Sequence, residues 1–449
     1  MFWFVGCSLM LVLNSCNNKL PSKILPEEVK VIKVKPRNFQ DSLAYLVKNT
    51  FDESQNFTGL IIYEPNKRDT IVSYHSDKYF TPASNTKIFS LLTGIEILGP
   101  TLSALSYQTK GDTLFFQGTG YPFFLNNDII DQNRAHEILK NHKGPICFVP
   151  NNFQDHHFGS GWSWDDYSYL YQKEKSALPI YGNTVWIAKQ TGQARVHVDP
   201  DVLRPFVKIQ RDAADFSIRR DPNSNEIQLS IPTNYPKLIN KIFPFVTDDL
   251  LFAQMLSDTL KKDVSLLDRP SGMNWKIIKD FETDSLYQRV MKDSDNFLAE
   301  QLLLMASFEV FDTMNTKKII NYSKENFMTN LPHKMRWVDG SGLSRYNLTT
   351  PENLTYALQK IKGKIGMKGV KNLFPQGGKR SLSSVPEYVY AKSGSLSNNF
   401  NLSGFLETKD GTVLIFSFMN NHFLASSRTI KKRMNGILEF IHHHYPAMD

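Results

Sequence analysis

Apolar and polar residues follow one another along the chain in patterns that change from stretch to stretch. Between residues 40 and 49 the apolar positions have helical spacing. The runs at 58–63 and 70–74 are rich in strand-forming residues, and the turn-forming sequence at 64–67 separates them. This pattern predicts a helix followed by a β-hairpin.

A strongly apolar helix is predicted next. It opens at residues 81–84 and runs to about Leu98, where Gly99 and Pro100 end it. From 101 to 274 the texture changes to short strands, many turns and scattered aromatic residues. This middle stretch is predicted to be mostly β.

The last part of the chain returns to helices and then to strands. A helical pattern runs from Asp284 through Leu304, and strands from Tyr388 onward are closed by one C-terminal helix. The run at 412–418 is almost continuously apolar, which predicts a central strand covered on both faces.

Together these patterns predict an α+β fold, an antiparallel sheet with flanking helices. The main domain is expected to be discontinuous, formed by residues 38–100 and 275–449. The mostly β stretch at 101–274 is expected to be an inserted domain.

The N-terminal segment has the features of an export signal. Residues 1–16 hold an apolar stretch too short to span a bilayer. Leu13-Asn14-Ser15-Cys16 resembles a bacterial lipobox, so we expect lipidation of Cys16, with 17–37 as a tether. A plain secretory signal or a membrane-inserted stub is the alternative. The predicted location is the bacterial cell envelope, on the periplasmic side, with the protein held at the membrane by its lipid.

Composition and charge narrow the class of protein. The chain has 449 residues, of which 41% are hydrophobic and 21% charged, as in soluble globular proteins. The net charge of +8 favours an anionic partner. Basic residues are spread along the chain and no nucleic-acid-binding motif accompanies them, so we expect no nucleic-acid partner. Cys147 stands alone in the body of the chain, and its apolar neighbours predict a buried side chain.

Ser84-Asn85-Thr86-Lys87 places a hydroxyl and an amine three residues apart at the start of the apolar helix. That spacing puts both side chains on one face. A serine needs a base to become a nucleophile, and a lysine with a lowered pKa can be that base. Taken alone, the pattern also fits a simple helix cap at Ser84.

Two further short elements carry polar groups. Ser294-Asp295-Asn296 precedes an apolar helix and, by itself, is typical of a helix cap. Lys392-Ser393-Gly394-Ser395 lies on a predicted strand, where the glycine would let a ligand approach and the lysine and hydroxyl would hold a carboxylate. A strand that ends in a turn is the alternative for this element.

In this order the three elements resemble the Ser-x-x-Lys, Ser-x-Asn and Lys-Ser/Thr-Gly set of penicillin-binding proteins and serine β-lactamases. The long separation of Ser84 from Ser294 is similar to that of the class C low-molecular-mass penicillin-binding proteins, the D-alanyl-D-alanine carboxypeptidase/endopeptidase family. Further blocks similar to that family lie at 297–302, 339–347 and 402–405. Ser393 stands where threonine is usual and keeps the hydroxyl.

The resemblance implies a penicillin-sensitive serine peptidase that cleaves peptidoglycan stem peptides through an acyl-enzyme, with β-lactams as inhibitors and without metal or other cofactor. It implies Ser84 as nucleophile and Lys87 as its base. The remaining site residues would be Ser294 as proton relay, Lys392 as its helper and Asn296 on the peptide amide. Substrate would be bound by Ser393 at the terminal carboxylate, by Gly394 where the ligand approaches the strand edge, and by Ser395 in the oxyanion hole with the Ser84 amide.

Other interpretations stay open. The alternatives to a carboxypeptidase or endopeptidase are a β-lactamase and a non-catalytic wall-binding lipoprotein. The histidines at 156–157 and 442–444 are expected to be solvated surface rather than metal ligands. The aromatic residues between 162 and 169 are expected in the core of the insertion rather than on a sugar-stacking surface.

Overall fold

The fold is described from a computed structural model. It covers residues 38–52, 54–126, 134–233, 235–268, 272 and 274–445. The predicted signal at 1–16, with Cys16, and the tether at 17–37 lie outside the described residues. Among the described residues no helix combines the length and the apolarity that a membrane crossing needs.

The described residues form helices in all parts of the chain. The α-helices are α1 (Phe39–Phe51), α2 (Lys87–Ile97), α3 (Arg134–Asn141), α4 (Asp249–Leu260), α5 (Thr283–Gln288), α6 (Asn296–Phe311), α7 (Thr316–Asn326), α8 (Pro351–Leu373) and α9 (Ser427–His444). Short 3-10 turns lie between them, and a π-helical turn, Arg289–Asp293, links α5 to α6.

The strands form an N-terminal hairpin, a larger group in the middle of the chain and a C-terminal group. They are β1 (Phe57–Glu64), β2 (Asp69–Tyr74), β3 (Thr101–Lys110), β4 (Thr113–Gln117), β5 (Ile146–Phe148), β6 (Thr184–Lys189), β7 (His197–Asp199), β8 (Val207–Arg211), β9 (Ser217–Arg220), β10 (Ile227–Ile231), β11 (Ile239–Pro244), β12 (Val264–Leu266), β13 (Lys276–Glu282), β14 (Val389–Leu396), β15 (Asn399–Glu407) and β16 (Val413–Asn421).

One five-stranded antiparallel sheet joins the two ends of the chain in the order β14-β15-β16-β1-β2. Its core strand, β16, pairs with β15 on one side and β1 on the other, and nearly all its residues are buried. Helices α1 and α9 pack on one face of the sheet, and α2, α6 and α8 form the layer on the other. The predicted hairpin, central strand and α+β class are confirmed.

In the middle of the chain, the described residues form three further sheets. A mixed five-stranded sheet has the order β12-β5-β4-β3-β13, and two three-stranded sheets have the orders β8-β10-β9 and β11-β6-β7. Strand β13 pairs antiparallel with β3, so the chain leaves this region along the strand by which it entered. The domain limits at residues 100 and 275 stay a prediction.

Two expectations about single side chains have different outcomes. Cys147 is buried on β5, as predicted. The expectation that the aromatic residues at 162–169 form core is wrong for Trp164 and Tyr169, which are 81% and 55% exposed. They lie in a stretch of short 3-10 turns, which has no continuous apolar face to bury.

Candidate active site

Ser84 lies on a 3-10 turn, Ala83–Thr86, that leads directly into α2. The residue before it, Ala83, has a φ of 49°, a left-handed conformation that costs an alanine free energy. Gly342 packs against this turn so closely that a Cβ there would lie 1.9 Å from the carbonyl oxygen of Ala83. The surrounding chain therefore holds the Ser84 turn in a conformation that its own sequence does not favour.

Lys87 occupies the first position of α2 and is completely buried. Its Nζ donates to the hydroxyl of Ser84 at 3.1 Å, to Oδ1 of Asn296 at 2.6 Å and to the carbonyl oxygen of Ser341 at 2.7 Å. The predicted nucleophile and base are therefore in hydrogen-bond contact.

Burial lowers the pKa of Lys87 to about 8, because a charged amine loses its hydration in the interior. The carboxylates of Asp339, Asp295 and Glu300 act in the opposite direction and favour the ammonium form. Burial is the larger effect. Near neutral pH part of the Lys87 amine is thus unprotonated and can accept a proton.

A second lysine faces the same cleft from the sheet. Lys392 on β14 is 1% exposed, and its Nζ donates to the hydroxyl of Ser294 at 2.9 Å. Burial, together with the nearby charge of Lys87, places the pKa of Lys392 well below its usual value. Ser294 has a φ of 58°, and this left-handed residue breaks the helical run predicted from Asp284 through Leu304.

Strand β14 lies at the edge of the main sheet and packs against the Ser84 turn. A Cβ on Gly394 would lie 2.4 Å from the carbonyl oxygen of Pro82 and 2.9 Å from the amide nitrogen of Asn85. Glycine is therefore required for this strand to approach the nucleophile. Ser393 is half-buried beside it, and Ser395 is exposed.

Helix α6 brings the Ser-x-Asn element to Lys87. Asp295, rather than Ser294, is the N-cap residue, since its carboxylate accepts from the amide of Leu298 at 2.9 Å. The amide group of Asn296 is used at both ends: Oδ1 accepts from Lys87, and Nδ2 donates to the carbonyl oxygen of Tyr171 at 3.0 Å. All three predicted elements thus meet in one cleft.

Three residues outside the predicted set also hold the site together. Ser341 supplies the carbonyl that holds Lys87. Asp339 is 1% exposed and anchors the loop at 339–347, and Glu300 is fully buried on α6 and accepts from the amide of Ser341 at 2.8 Å. In the sequence, Glu300 stands out as an acid within an apolar helical run. A buried acid in such a run is expected to have a polar or charged partner in the interior.

The described residues contain no cluster of histidine, cysteine and carboxylate side chains suited to a metal ion. His442 stacks on Tyr388, with ring centroids 3.6 Å apart, and its Nδ1 lies 2.6 Å from the carbonyl oxygen of Glu407. The side chain of His442 on α9 is therefore half-buried, whereas His443 and His444 are exposed, as expected.

Comparison with known proteins decides the family. The model of the D-Ala-D-Ala carboxypeptidase 3 (S13) family matches residues 40–441, nearly the whole chain. The chain belongs to this family. This S13 protein is therefore a serine-type D-Ala-D-Ala carboxypeptidase, and the activity class expected from the three sequence elements is confirmed.

Individual relatives of the S13 carboxypeptidase are distant in sequence. D-alanyl-D-alanine carboxypeptidase DacB of Haemophilus influenzae is 21% identical over 431 residues, which cover 84% of this chain and 88% of the relative. The crystal structure of penicillin binding protein 4 from the same organism matches with a TM-score of 0.71 at 19% identity, covering 89% of this chain and 99% of that one. Its complex with a β-lactam matches at a TM-score of 0.67, 18% identity and the same coverage. The predicted fold is confirmed.

Proposed function

We propose that this carboxypeptidase cleaves the peptide bond between the two terminal D-alanines of peptidoglycan stem peptides, with Ser84 as nucleophile and Lys87 as base. One observation carries the assignment: the amine of Lys87 lies 3.1 Å from the Ser84 hydroxyl and is held by two further acceptors. The buried amine, whose pKa is lowered to about 8, is suited to take the hydroxyl proton.

The two further acceptors also fix the direction of that proton transfer. A neutral lysine amine has two N–H groups and one lone pair. The carbonyl of Ser341 and Oδ1 of Asn296 can only accept hydrogen bonds, so they take the two N–H groups. The lone pair is then left to face the hydroxyl of Ser84, which donates to it.

The chemical steps follow from this arrangement. The oxygen of Ser84 bonds to the carbonyl carbon, and the backbone amides of Ser84 and Ser395 stabilise the oxyanion, each by about 3 kcal/mol. The bond from that carbon to the leaving D-alanine nitrogen breaks as Ser294, held by Lys392, relays to the nitrogen the proton that Lys87 took from Ser84. Water then cleaves the ester and restores the Ser84 hydroxyl.

The substrate is expected to lie along the outer edge of β14. Ser393 would face the terminal carboxylate there, and Gly394 would let the ligand approach the strand closely. Asn296 is proposed to turn its Nδ2 from the Tyr171 carbonyl to the carbonyl oxygen of the substrate's peptide amide. A cleft of about 600 Å³ opens beside Asp295 and is bordered by Lys173. It offers room for the remainder of a stem peptide, whether free or cross-linked.

We also propose that the enzyme works in the periplasm, attached to the membrane through a lipidated Cys16. The support is the lipobox-like sequence at 13–16, followed by a polar stretch up to the start of α1. Labelling cells with a radioactive fatty acid would test the anchor, since wild-type protein would carry label and Cys16→Ala protein would not. Label retained by the variant would contradict it.

The proposed reaction is tested by digesting purified muropeptides with the enzyme and recording product masses. Loss of one alanine from pentapeptides indicates carboxypeptidase action, and splitting of cross-linked dimers indicates endopeptidase action. Neither product, from folded enzyme, would contradict the proposal. A fluorescent penicillin separates the β-lactamase alternative, because a long-lived label indicates a penicillin-binding protein and rapid turnover a β-lactamase.

A further inference from the structure

A buried acid, Glu300, acts electrostatically on the proposed catalytic lysine and has no part in the proposed chemical steps. Glu300 is four residues after Asn296 on α6, so the two side chains share one face of the helix. Glu300 is fully buried, although its helix neighbours are almost all apolar. A buried acid costs free energy unless its surroundings compensate it, so its contacts are informative.

The contacts of Glu300 lead to Lys87 through one loop residue. Its Oε1 accepts from the amide of Ser341 at 2.8 Å. The backbone carbonyl of Ser341 accepts from the Lys87 amine at 2.7 Å. The adjacent carbonyl, that of Gly340, accepts from the hydroxyl of Ser90 on α2 at 2.7 Å. Helix α6 therefore holds Lys87 in two ways. Asn296 binds the amine directly, and Glu300 acts on it through Ser341 of the loop.

We propose that Glu300 is a positioning residue for the acylation step, which orients the Ser341 carbonyl toward the amine of Lys87. The inference rests on the proposed function, since it gives Lys87 the role of base. Glu300 contacts neither substrate nor reacting atoms, so its effect passes through Ser341 and through its charge.

The charges around the two groups set the sign of the effect. Lys87 is faced by the carboxylates of Asp339, Asp295 and Glu300, and by the amine of Lys392. Burial raises the pKa of Glu300, and so does the neighbouring Asp339. Lys175, whose amine is 2.9 Å from Asp155, acts on Glu300 in the opposite direction. Ionised Glu300 raises the pKa of Lys87, so removing its charge lowers that pKa.

The test is the pH profile of acylation by a fluorescent penicillin in Glu300→Gln and Glu300→Ala. Glutamine can still accept from the Ser341 amide but carries no charge. We expect its rate plateau to stay within about 3-fold of wild type. Above pH 7 its acid limb should move about 0.5 pH unit lower, because burial raises the pKa of Glu300 to about 7 and the wild-type side chain is ionised above that pH. Alanine leaves the amide unpaired, so we expect its plateau to fall about 10-fold or more. Glu309→Gln, on the exposed part of the same helix, is the matched control and should match wild type.

The outcomes separate this inference from the proposed function. A wild-type enzyme that is not acylated at all would refute the proposed function. If the wild type is acylated but the glutamine variant has the wild-type acid limb, or loses its plateau without moving that limb, the inference is overturned. Wild-type rates in a folded alanine variant would overturn it as well. Should alanine prevent folding, the glutamine profile alone decides.

Discussion

Replacing Asp339 by asparagine should destabilise the loop that carries Ser341. One carboxylate oxygen of Asp339 accepts from the amide of Gly342 at 2.9 Å and from Nδ2 of Asn347 at 2.7 Å. The other accepts from Nε1 of Trp162 at 2.9 Å and from the amide of Ser344 at 2.7 Å. Every one of these partners is a donor.

An asparagine has one oxygen and one NH₂ group in place of the two oxygens. Whichever way the amide turns, two donors that are buried or partly buried lose their acceptor and face another donor. Each such loss costs about 1–3 kcal/mol, so Asp339→Asn should lower the free energy of unfolding by roughly 4 kcal/mol. The substitution changes neither the size of the side chain nor the packing, so the cost measures hydrogen bonding.

Urea unfolding followed by tryptophan fluorescence measures this cost directly. Trp162 contacts the Asp339 carboxylate, and Trp337 donates to its backbone carbonyl at 2.6 Å, so the signal includes the loop itself. Asp258→Asn is the matched control: it removes a surface ion pair with Lys261 and should cost less than about 0.5 kcal/mol. A loss below about 1 kcal/mol in Asp339→Asn would show that these hydrogen bonds do not stabilise the loop.

Three further predictions concern the reaction. The pKa of Lys87 is lowered to about 8, and acylation needs the free amine. The acylation rate should therefore fall about tenfold for each pH unit well below 8, and a rate that is flat between pH 5 and 8 would contradict this. Lys392→Met removes the partner of Ser294, so acylation should slow by roughly 100-fold while the protein stays as stable in urea; wild-type rates would exclude the relay. Gly394→Ala should slow acylation at least ~10-fold, since the new Cβ meets the Pro82 carbonyl, whereas Gly436→Ala, in open space on α9, should not.

The sequence was sufficient for the parts of the site that lie in short motifs. Ser84 and Lys87 share one turn of chain, so local spacing alone predicted their contact. The contact between Ser294 and Lys392 joins distant segments, and it was implied only by the resemblance to a family. The central strand β16 was predicted because a continuously apolar run is buried on both faces.

Other features depend on tertiary contacts that no local pattern shows. The Ser341 carbonyl is a backbone group, so its role as a Lys87 acceptor leaves no trace in residue type. Glu300 was inside a block that resembles the family, but its partner lies far along the chain. Trp164 was expected in the core because aromatic residues are usually buried, yet its short turn leaves it exposed.

In the proposed mechanism Ser84 forms the covalent bond to the substrate or to a β-lactam. Mass spectrometry of the enzyme after brief exposure to penicillin, followed by proteolysis, tests it most directly. We expect one added penicillin on the peptide that contains Ser84, and none on folded Ser84→Ala protein. An adduct on the peptide that contains Ser294, or undiminished labelling of the Ser84→Ala variant, would contradict it.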